Sequence, residues 1–291
     1  MNQAKEKKAA SRTVDLLWSG GWDSTYRLLD LLLIKKFAVN THYIIDHHRR
    51  SRSIEMVTMM KIRDKIVSTY PETKLLFNKI IFISRNSIFE NKEVTIKLNN
   101  LKKIKELGPQ YDMIIRYVRE LEITEFELCI HVDDKAAAHV EQQVEFIQEP
   151  DGYSYWQLDR GVNKEDDLSV FSNIHFPILK LSKLDMRESA KKYGFENILN
   201  TTWWCHKPVR GKPCGVCKPC RHYIEEGMEF RFPRSAIRRN KWHFNPLIQG
   251  SKRMFSPLLR ETRYFFKYIH RTLKKIFTQP SSQSNDKKKV S

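Results

Sequence analysis

Between residues 13 and 132 short apolar runs alternate with helix-length segments, and this alternation constrains the fold more than any other feature of the sequence. Residues 13–18 (TVDLLW), 37–45, 79–83 and 126–132 have the length and the β-branched or aromatic content of buried strands. Between them, residues 26–33, ending near Lys35-Lys36, residues 53–69, stopped by Tyr70-Pro71, and the long polar stretch 97–121 read as helices. Such a series implies a parallel sheet covered by helices on both faces, so the expected fold class is α/β.

Further along, residues 151–170 are polar with scattered aromatics and read as an insertion or mobile loop, and 176–179 as a short strand. Ser182-Lys183-Leu184-Asp185 has the form of a capping box opening a helix, with Met186, Ala190 and Tyr193 as its apolar stripe and Gly194 at its C-cap. No internal repeat is present. The chain has 291 residues, 41% apolar and 30% charged, with 10 Gly and 11 Pro, which excludes collagen-like, low-complexity and wholly disordered chains.

The formal charge of +18 is unevenly placed. Residues 231–291 carry 16 Lys and Arg against Glu261 and Asp286, a net of +14, and residues 1–12 a net of +3, which leaves +1 for residues 13–230. The basicity therefore concerns what the ends touch and leaves the body electrically ordinary. No run approaches the roughly 20 apolar residues of a membrane span, and the polar start MNQAKEKKAASR is followed by no signal-type apolar stretch. Four of the five cysteines crowd between Cys205 and Cys220, a clustering that favours metal over disulfides in an intracellular chain, so a cytoplasmic protein is expected.

Ser19-Gly20-Gly21-Trp22-Asp23-Ser24 lies between the first strand and the first helix. At the carboxyl end of a parallel strand, paired glycines let backbone N–H groups approach a phosphate, and Ser19 and Ser24 add hydroxyl donors. Asp23 repels a bare phosphate, so it makes sense with Mg²⁺ bridging carboxylate and pyrophosphate. No lysine occupies the Walker A position. The competing reading is a glycine turn that merely joins strand to helix. Cys205, Cys214, Cys217 and Cys220 are spaced C-x8-C-x2-C-x2-C, which suits one closed tetrahedral Zn²⁺ site with a structural role. The neighbouring His206 and His222 are alternative ligands or exposed side chains, and Cys129 reads as a core residue.

SGGWDS resembles the SGGxDS loop of the PP-loop ATP pyrophosphatases, which adenylate a substrate and release pyrophosphate. Residues 176–228 resemble the C-terminal half of 7-cyano-7-deazaguanine synthase, with Thr202-Trp203-Trp204-Cys205 as its T-W-x-C step and Pro213-Cys214-Gly215-Val216-Cys217-Lys218-Pro219-Cys220 as its zinc loop. Asp46-His47-His48-Arg49-Arg50, with Glu55 beyond, more loosely resembles the family's D-Y-G-Q-R-H segment, whereas its S-G-Y-P-D-C-R stretch is replaced here by residues 131–139, HVDDKAAAH. The 97–121 and 151–170 stretches have no evident counterpart in the family.

The resemblance implies ATP, Mg²⁺ and Zn²⁺ as cofactors and a carboxylate that is adenylated, then joined to ammonia or an amine. On that basis Ser19, Gly20, Gly21, Asp23 and Ser24 bind the nucleotide, and Asp23 and Lys183 are the catalytic candidates, Lys183 being otherwise a solvated lysine. Arg50, Asp133 and Asp134 are possible substrate residues. Arg50 alternatively belongs to a solvated basic loop, and the aspartates to an acidic cap on the following alanines. The expected organisation is a basic disordered segment 1–12, a PP-loop domain 13–200, a zinc-binding loop and helix 201–230, and a basic extension 231–291.

Within that extension Ser256-Pro257 opens a plausible helix, with Leu258, Phe265, Phe266, Ile269, Leu273, Ile276 and Phe277 on one face and basic residues on the other. It suits nucleic acid, an anionic membrane surface or a partner protein, or else packs on the body; a homo-oligomer is also compatible. Three functions fit the sequence: a ligase of the deazaguanine type, a PP-loop enzyme adenylating another acid, an RNA base or a protein, and a non-catalytic zinc-stabilised RNA-binding module.

Overall fold

The structure, a computed structural model, describes residues 12–245. Its elements in chain order are β1 (Thr13–Leu17), α1 (Trp22–Leu29), β2 (Ala38–Ile45), α2 (Arg52–Thr69), β3 (Phe77–Ser84), α3 (Lys92–Ile104), α4 (Gln110–Glu120), β4 (Phe126–Glu127), α5 (Ala137–Val140), β5 (Val144–Gln148), β6 (Ser154–Leu158), β7 (Ile174–His175), α6 (Lys183–Lys192), α7 (Glu196–Leu199), α8 (Lys218–Glu225) and α9 (Arg234–His243). Of the described residues, 12–236 belong to one compact unit and 237–245 to a second. The expected helix from Ser256 lies outside the described residues.

The five-stranded sheet has the order β3-β2-β1-β4-β7 with every pairing parallel, which bears out the α/β expectation. Because parallel crossovers are right-handed, the steps β1 to β2 and β2 to β3 place α1 and α2 on one face. The return from β3 to β4 places α3 and α4 on the other. Trp18, Leu28, Leu29 and Ile62 are buried on the first side. Leu98, Ile115, Phe126, Phe171 and Phe176 share one apolar cluster on the second. The strand order reverses between β1 and β4, so the crevice beyond their carboxyl ends is the place where open α/β sheets bind ligands.

Several elements differ from the sequence expectation. The helix over 97–121 is two helices, since Lys105 leaves the α region and Gly108-Pro109 precedes α4. The fourth strand keeps only two residues: Ile130 N–H turns back onto the Leu128 carbonyl, taking 128–132 off the ladder. Part of the loop 151–170 is a strand, because β5 and β6 form an antiparallel hairpin held by Phe146 on Trp156, ring centroids 5.1 Å apart. The last strand lies at Ile174–His175, before the expected 176–179, and Phe176 instead bridges to Trp156.

The capping box of α6 is as expected: Ser182 Oγ accepts from Asp185 N–H (3.1 Å), and the Asp185 carboxylate accepts from Ser182 N–H (2.8 Å). The same helix ends with Gly194 N–H on the Lys191 carbonyl and Phe195 N–H on that of Ala190. Lys183 is thereby fixed as its first residue. Among the described residues no helix is long and apolar enough to cross a membrane.

Candidate nucleotide and metal site

β1 ends at Leu17, and Trp18 N–H still donates to the His42 carbonyl before the chain turns through Ser19-Gly20-Gly21 into α1. Gly20 has φ +68°, and a Cβ there would sit 2.8 Å from Met59 Cγ, so the turn needs glycine both for its backbone and for its closeness to α2. Gly21 stands at the N-cap of α1 in extended conformation, without a side-chain cap. Ser24 Oγ accepts from Ser19 N–H (3.3 Å) and Ser19 Oγ from Gly21 N–H (3.4 Å), which folds both hydroxyls into the loop. Hydroxyls and open first-turn N–H groups, at the positive end of a helix, face the sheet's switch point.

Lys183 reaches the same place from α6. Its Nζ lies 3.3 Å from Asp23 Oδ1, 3.0 Å from Glu226 Oε2 and 2.6 Å from His131 Nε2, and the side chain is 4% exposed. Tyr223 of α8 covers it, ring centroid 5.2 Å from Nζ. Burial by itself pulls the Lys183 amine down, but Asp23, Tyr223 and Glu226 outweigh it and hold its pKa above the usual lysine value. Burial likewise pushes the Asp23 carboxyl up, yet Lys183 and His131 prevail and keep it below the usual carboxylate range. Lys183 is therefore a fixed ammonium set against a carboxylate at the mouth of the loop.

The residues after β4 face the same crevice. His131 is buried, and its Nδ1 lies 3.9 Å from Asp133 Oδ2. His131, Asp133 and Glu226 present three ligand-type atoms within 4.8 Å of one another. Asp134 is engaged elsewhere, accepting from Ala136 N–H (2.8 Å) and from the Tyr111 hydroxyl (3.0 Å). Arg50 is exposed and makes no hydrogen bond or ion pair among the described residues. The neighbouring Arg49 turns inward instead, 3.2 Å from Glu55 Oε2 and 3.3 Å from His206 Nε2.

Asp23 suits an ATP-borne Mg²⁺. Its Oδ1 is buried with no partner besides the Lys183 ammonium, and this cation is commonly held by one or two carboxylates together with substrate phosphates.

The four clustered cysteines are buried and converge. Cys205 and Cys217 Sγ are 3.9 Å apart and those of Cys214 and Cys220 3.8 Å. Thiolates at about 2.3 Å from one tetrahedral Zn²⁺ stand about 3.8 Å from each other, so the residues fit a single ion. A cubane cluster, with each thiolate on its own iron, spreads them further. Cys214 N–H donates to Cys205 Sγ and Cys217 N–H to Cys214 Sγ, both at 3.2 Å, which stabilises thiolate charge. Gly215 has φ +80°, and a Cβ there would fall 2.2 Å from the Ala236 carbonyl oxygen, so the loop closes against the start of α9 only with glycine. The cluster is joined to the phosphate loop directly: Trp203 N–H donates to the Gly20 carbonyl at 3.1 Å.

Of the residues singled out from sequence, the structure brings together the 19–24 loop, Lys183 and Asp133, sets the four cysteines behind them, and leaves Arg50 exposed and Asp134 engaged elsewhere. His131, Tyr223 and Glu226 belong to the site without having been singled out for it. His131 had a signal, as a histidine at the carboxyl end of a predicted strand. Tyr223 and Glu226 had none, because only the path of the chain through the cysteine loop carries α8 to Lys183.

Residues 142–228 match the family model described as queuosine biosynthesis protein QueC. This is less than a third of the chain. It includes the hairpin, the 151–170 stretch for which no family counterpart was evident, and the four cysteines, and it stops short of the SGGWDS loop. No curated relative matches the sequence. Two solved structures are similar in part. The U34-tRNA thiolase NcsA from Methanococcus maripaludis, solved with its [4Fe-4S] cluster, is 15% identical over 84% of this chain and 73% of its own, with a TM-score of 0.37. NMN synthetase from Francisella tularensis is 15% identical over 80% of this chain and 84% of its own, with a TM-score of 0.32. Neither likeness is close enough to bear on the site. Across residues 142–228, from the hairpin through the four-cysteine loop, the chain is similar to the queuosine biosynthesis protein QueC.

Proposed function

We propose that this protein is an ATP-dependent, AMP-forming carbon–nitrogen ligase of the 7-cyano-7-deazaguanine synthase type. It adenylates a carboxylic acid, 7-carboxy-7-deazaguanine or a related planar acid, and joins it to ammonia or an amine. The observation that supports this most is the SGGWDS loop at the switch-point end of the central strand, with the Lys183 ammonium 3.3 Å from Asp23. The match of residues 142–228 to QueC adds the acid.

In this reading the loop N–H groups and the hydroxyls of Ser19 and Ser24 take up the phosphates. Asp23 would hold a Mg²⁺ brought with the nucleotide, which would supply positive charge against the departing pyrophosphate. Lys183 supplies positive charge that is already oriented, because His131, Glu226 and Tyr223 hold its amine in place. Such preorganisation is what stabilises charge developing at a phosphorus in transfer. The carboxylate oxygen attacks the α-phosphorus and the bond to pyrophosphate breaks, giving an acyl-adenylate. The amine nitrogen then attacks the acyl carbon, AMP leaves, and the nitrogen loses its proton. The family's further conversion of the amide to a nitrile consumes a second ATP. Such chemistry requires that the site exclude the water that would otherwise hydrolyse the adenylate.

Incubation with ATP, Mg²⁺, ammonia and 7-carboxy-7-deazaguanine is expected to yield AMP and pyrophosphate in step with loss of the acid. Asp23→Ala is expected to reduce pyrophosphate release at least about 100-fold, as for loss of a group that stabilises the transition state. Unchanged release in that variant overturns the role given to the loop. The 131–139 segment, which lacks the family's S-G-Y-P-D-C-R stretch, favours a second reading in which the acceptor is a different acid, an RNA base or a protein. ATP consumption without turnover of the deazaguanine acid supports that alternative. RNA binding without any ATP turnover supports the non-catalytic module.

A further inference from the structure

Arg231 falls in the segment that composition alone assigns to a basic extension, three residues beyond the QueC-like stretch. The structure folds it back under the phosphate loop. Its guanidinium carbon lies 4.8 Å from the ring centroid of Trp22, the residue between Gly21 and Asp23, and 4.2 Å from that of Trp204, next to Cys205. Tyr223 is at 5.9 Å and stacks flat on Trp204, centroids 4.7 Å apart. Nη2 donates to the carbonyls of Asn200 (3.0 Å) and Thr202 (2.8 Å).

Two features of this arrangement lack a partner. No carboxylate forms an ion pair with Arg231 among the described residues, although burial draws its pKa down to about 10. Moreover, three solvent-excluded N–H donors in the cluster have no acceptor: Arg231 Nη1, Trp22 Nε1 and Trp204 Nε1. A half-buried cation and three unmet donors are a costly combination unless something anionic answers them, since a buried donor without a partner forfeits its hydration without compensation. Oxyanions are the matching chemistry, and guanidinium and indole N–H groups are the donors that hold carboxylate or phosphate oxygens. The nearby carboxylates of Asp23 and Glu226 face the Lys183 ammonium, at 3.3 and 3.0 Å, and neither forms an ion pair with Arg231.

We propose that Arg231, with the indole N–H groups of Trp22 and Trp204, forms an oxyanion subsite beside the phosphate loop. This inference rests on the adenylation reading above, in which the crevice must hold two anions at once, the nucleotide phosphates and the acceptor carboxylate.

Pyrophosphate, ATP with Mg²⁺, and 7-carboxy-7-deazaguanine, each titrated by calorimetry against the full-length zinc-loaded protein, test the subsite and identify its source of oxyanion. Wild type is expected to bind at least one of the three, and Arg231→Gln to bind that one about 10- to 100-fold more weakly, the loss of a charge-assisted hydrogen bond. A loss confined to the deazaguanine acid makes the subsite an acceptor-carboxylate receptor; a loss confined to pyrophosphate and ATP makes it a phosphate receptor. Because Arg231 also binds two carbonyls, Trp204→Phe is the companion variant: it keeps the aromatic stack and removes only one N–H, and is expected to weaken the same ligand about fivefold. Wild-type affinity in Trp204→Phe together with wild-type affinity in Arg231→Gln overturns the subsite while leaving the adenylation reading standing. A wild-type protein that binds none of the three anions overturns both.

Discussion

Single residues here carry conformational and electrostatic duties that can be measured one at a time. Gly20 combines φ +68° with a close approach to Met59, so Gly20→Ala is expected to lower unfolding free energy by about 1–2 kcal/mol, read from the denaturant midpoint. Pyrophosphate release should fall with it, since the same turn shapes the loop. His175 illustrates a different balance. It is buried, stacked on Tyr155 at 3.6 Å, with Nδ1 3.2 Å from the Tyr153 hydroxyl. Burial, helped by Arg12 and Arg27, lowers its pKa from 6.5 to about 4. Its neutral form is the folded form, so the unfolded chain takes up the extra proton between those two values. Stability is accordingly full above about pH 6.5 and declines as pH falls toward 4, by on the order of 3 kcal/mol if the whole shift is realised. Urea unfolding of wild type at pH 7 and pH 5 should show this decline, and His175→Gln should flatten it.

At the scale of elements, the hydrogen bond from Trp203 to Gly20 makes the cysteine loop a support for the phosphate loop. Stripping the metal with a chelator, or replacing Cys214 by Ser, is expected to lower thermal stability and pyrophosphate release together, with elemental analysis of untreated protein giving one zinc per chain. Retained release in fully stripped protein separates the two loops. The elements were unequally legible in the sequence. The capping box and the β1-loop-α1 unit follow from local chemistry, hydroxyl and carboxylate on N–H groups, apolar run followed by glycines, and they stand where the sequence placed them. β4 shrank to Phe126–Glu127 although 126–132 is mostly apolar, because the Ile130 N–H found a closer acceptor than the ladder. The β5-β6 hairpin was missed for the opposite reason: its polar alternation resembles a loop, and the Phe146–Trp156 pair that holds it exists only once the strands have met.

Across the whole molecule, the boundary between body and basic extension lies later than charge alone indicates. Phe232 is buried with its ring 5.2 Å from Trp204, Arg231 is packed beside it, and the first compact unit runs to Ala236. A chain ending at residue 245 is therefore expected to keep the melting temperature and the pyrophosphate release of the full-length protein. A chain ending at residue 230 is expected to lose at least about 3 kcal/mol, the cost of removing one buried aromatic ring. Equal stability of the two truncations contradicts this boundary. Of the +18 charge, Arg231 and Arg234 belong to that first unit, and the remaining surplus of residues 237–291 is what an RNA-binding or membrane-binding assay on the longer chain addresses.

The sequence by itself determined the α/β class, the phosphate-type loop and the four-thiolate set, because each depends on residues close together in the chain: apolar periodicity, paired glycines after a strand, short cysteine spacings. Tertiary structure alone decided what surrounds Lys183 and which arginine matters. Lys183 meets Asp23, His131 and Glu226 from positions far apart in sequence, and Arg231 rather than Arg50 reaches the loop. Desolvation and ion pairing depend on three-dimensional neighbours, and a charge count along the chain gives a lysine at a helix start and an arginine in a basic tail the same weight as any solvated cation.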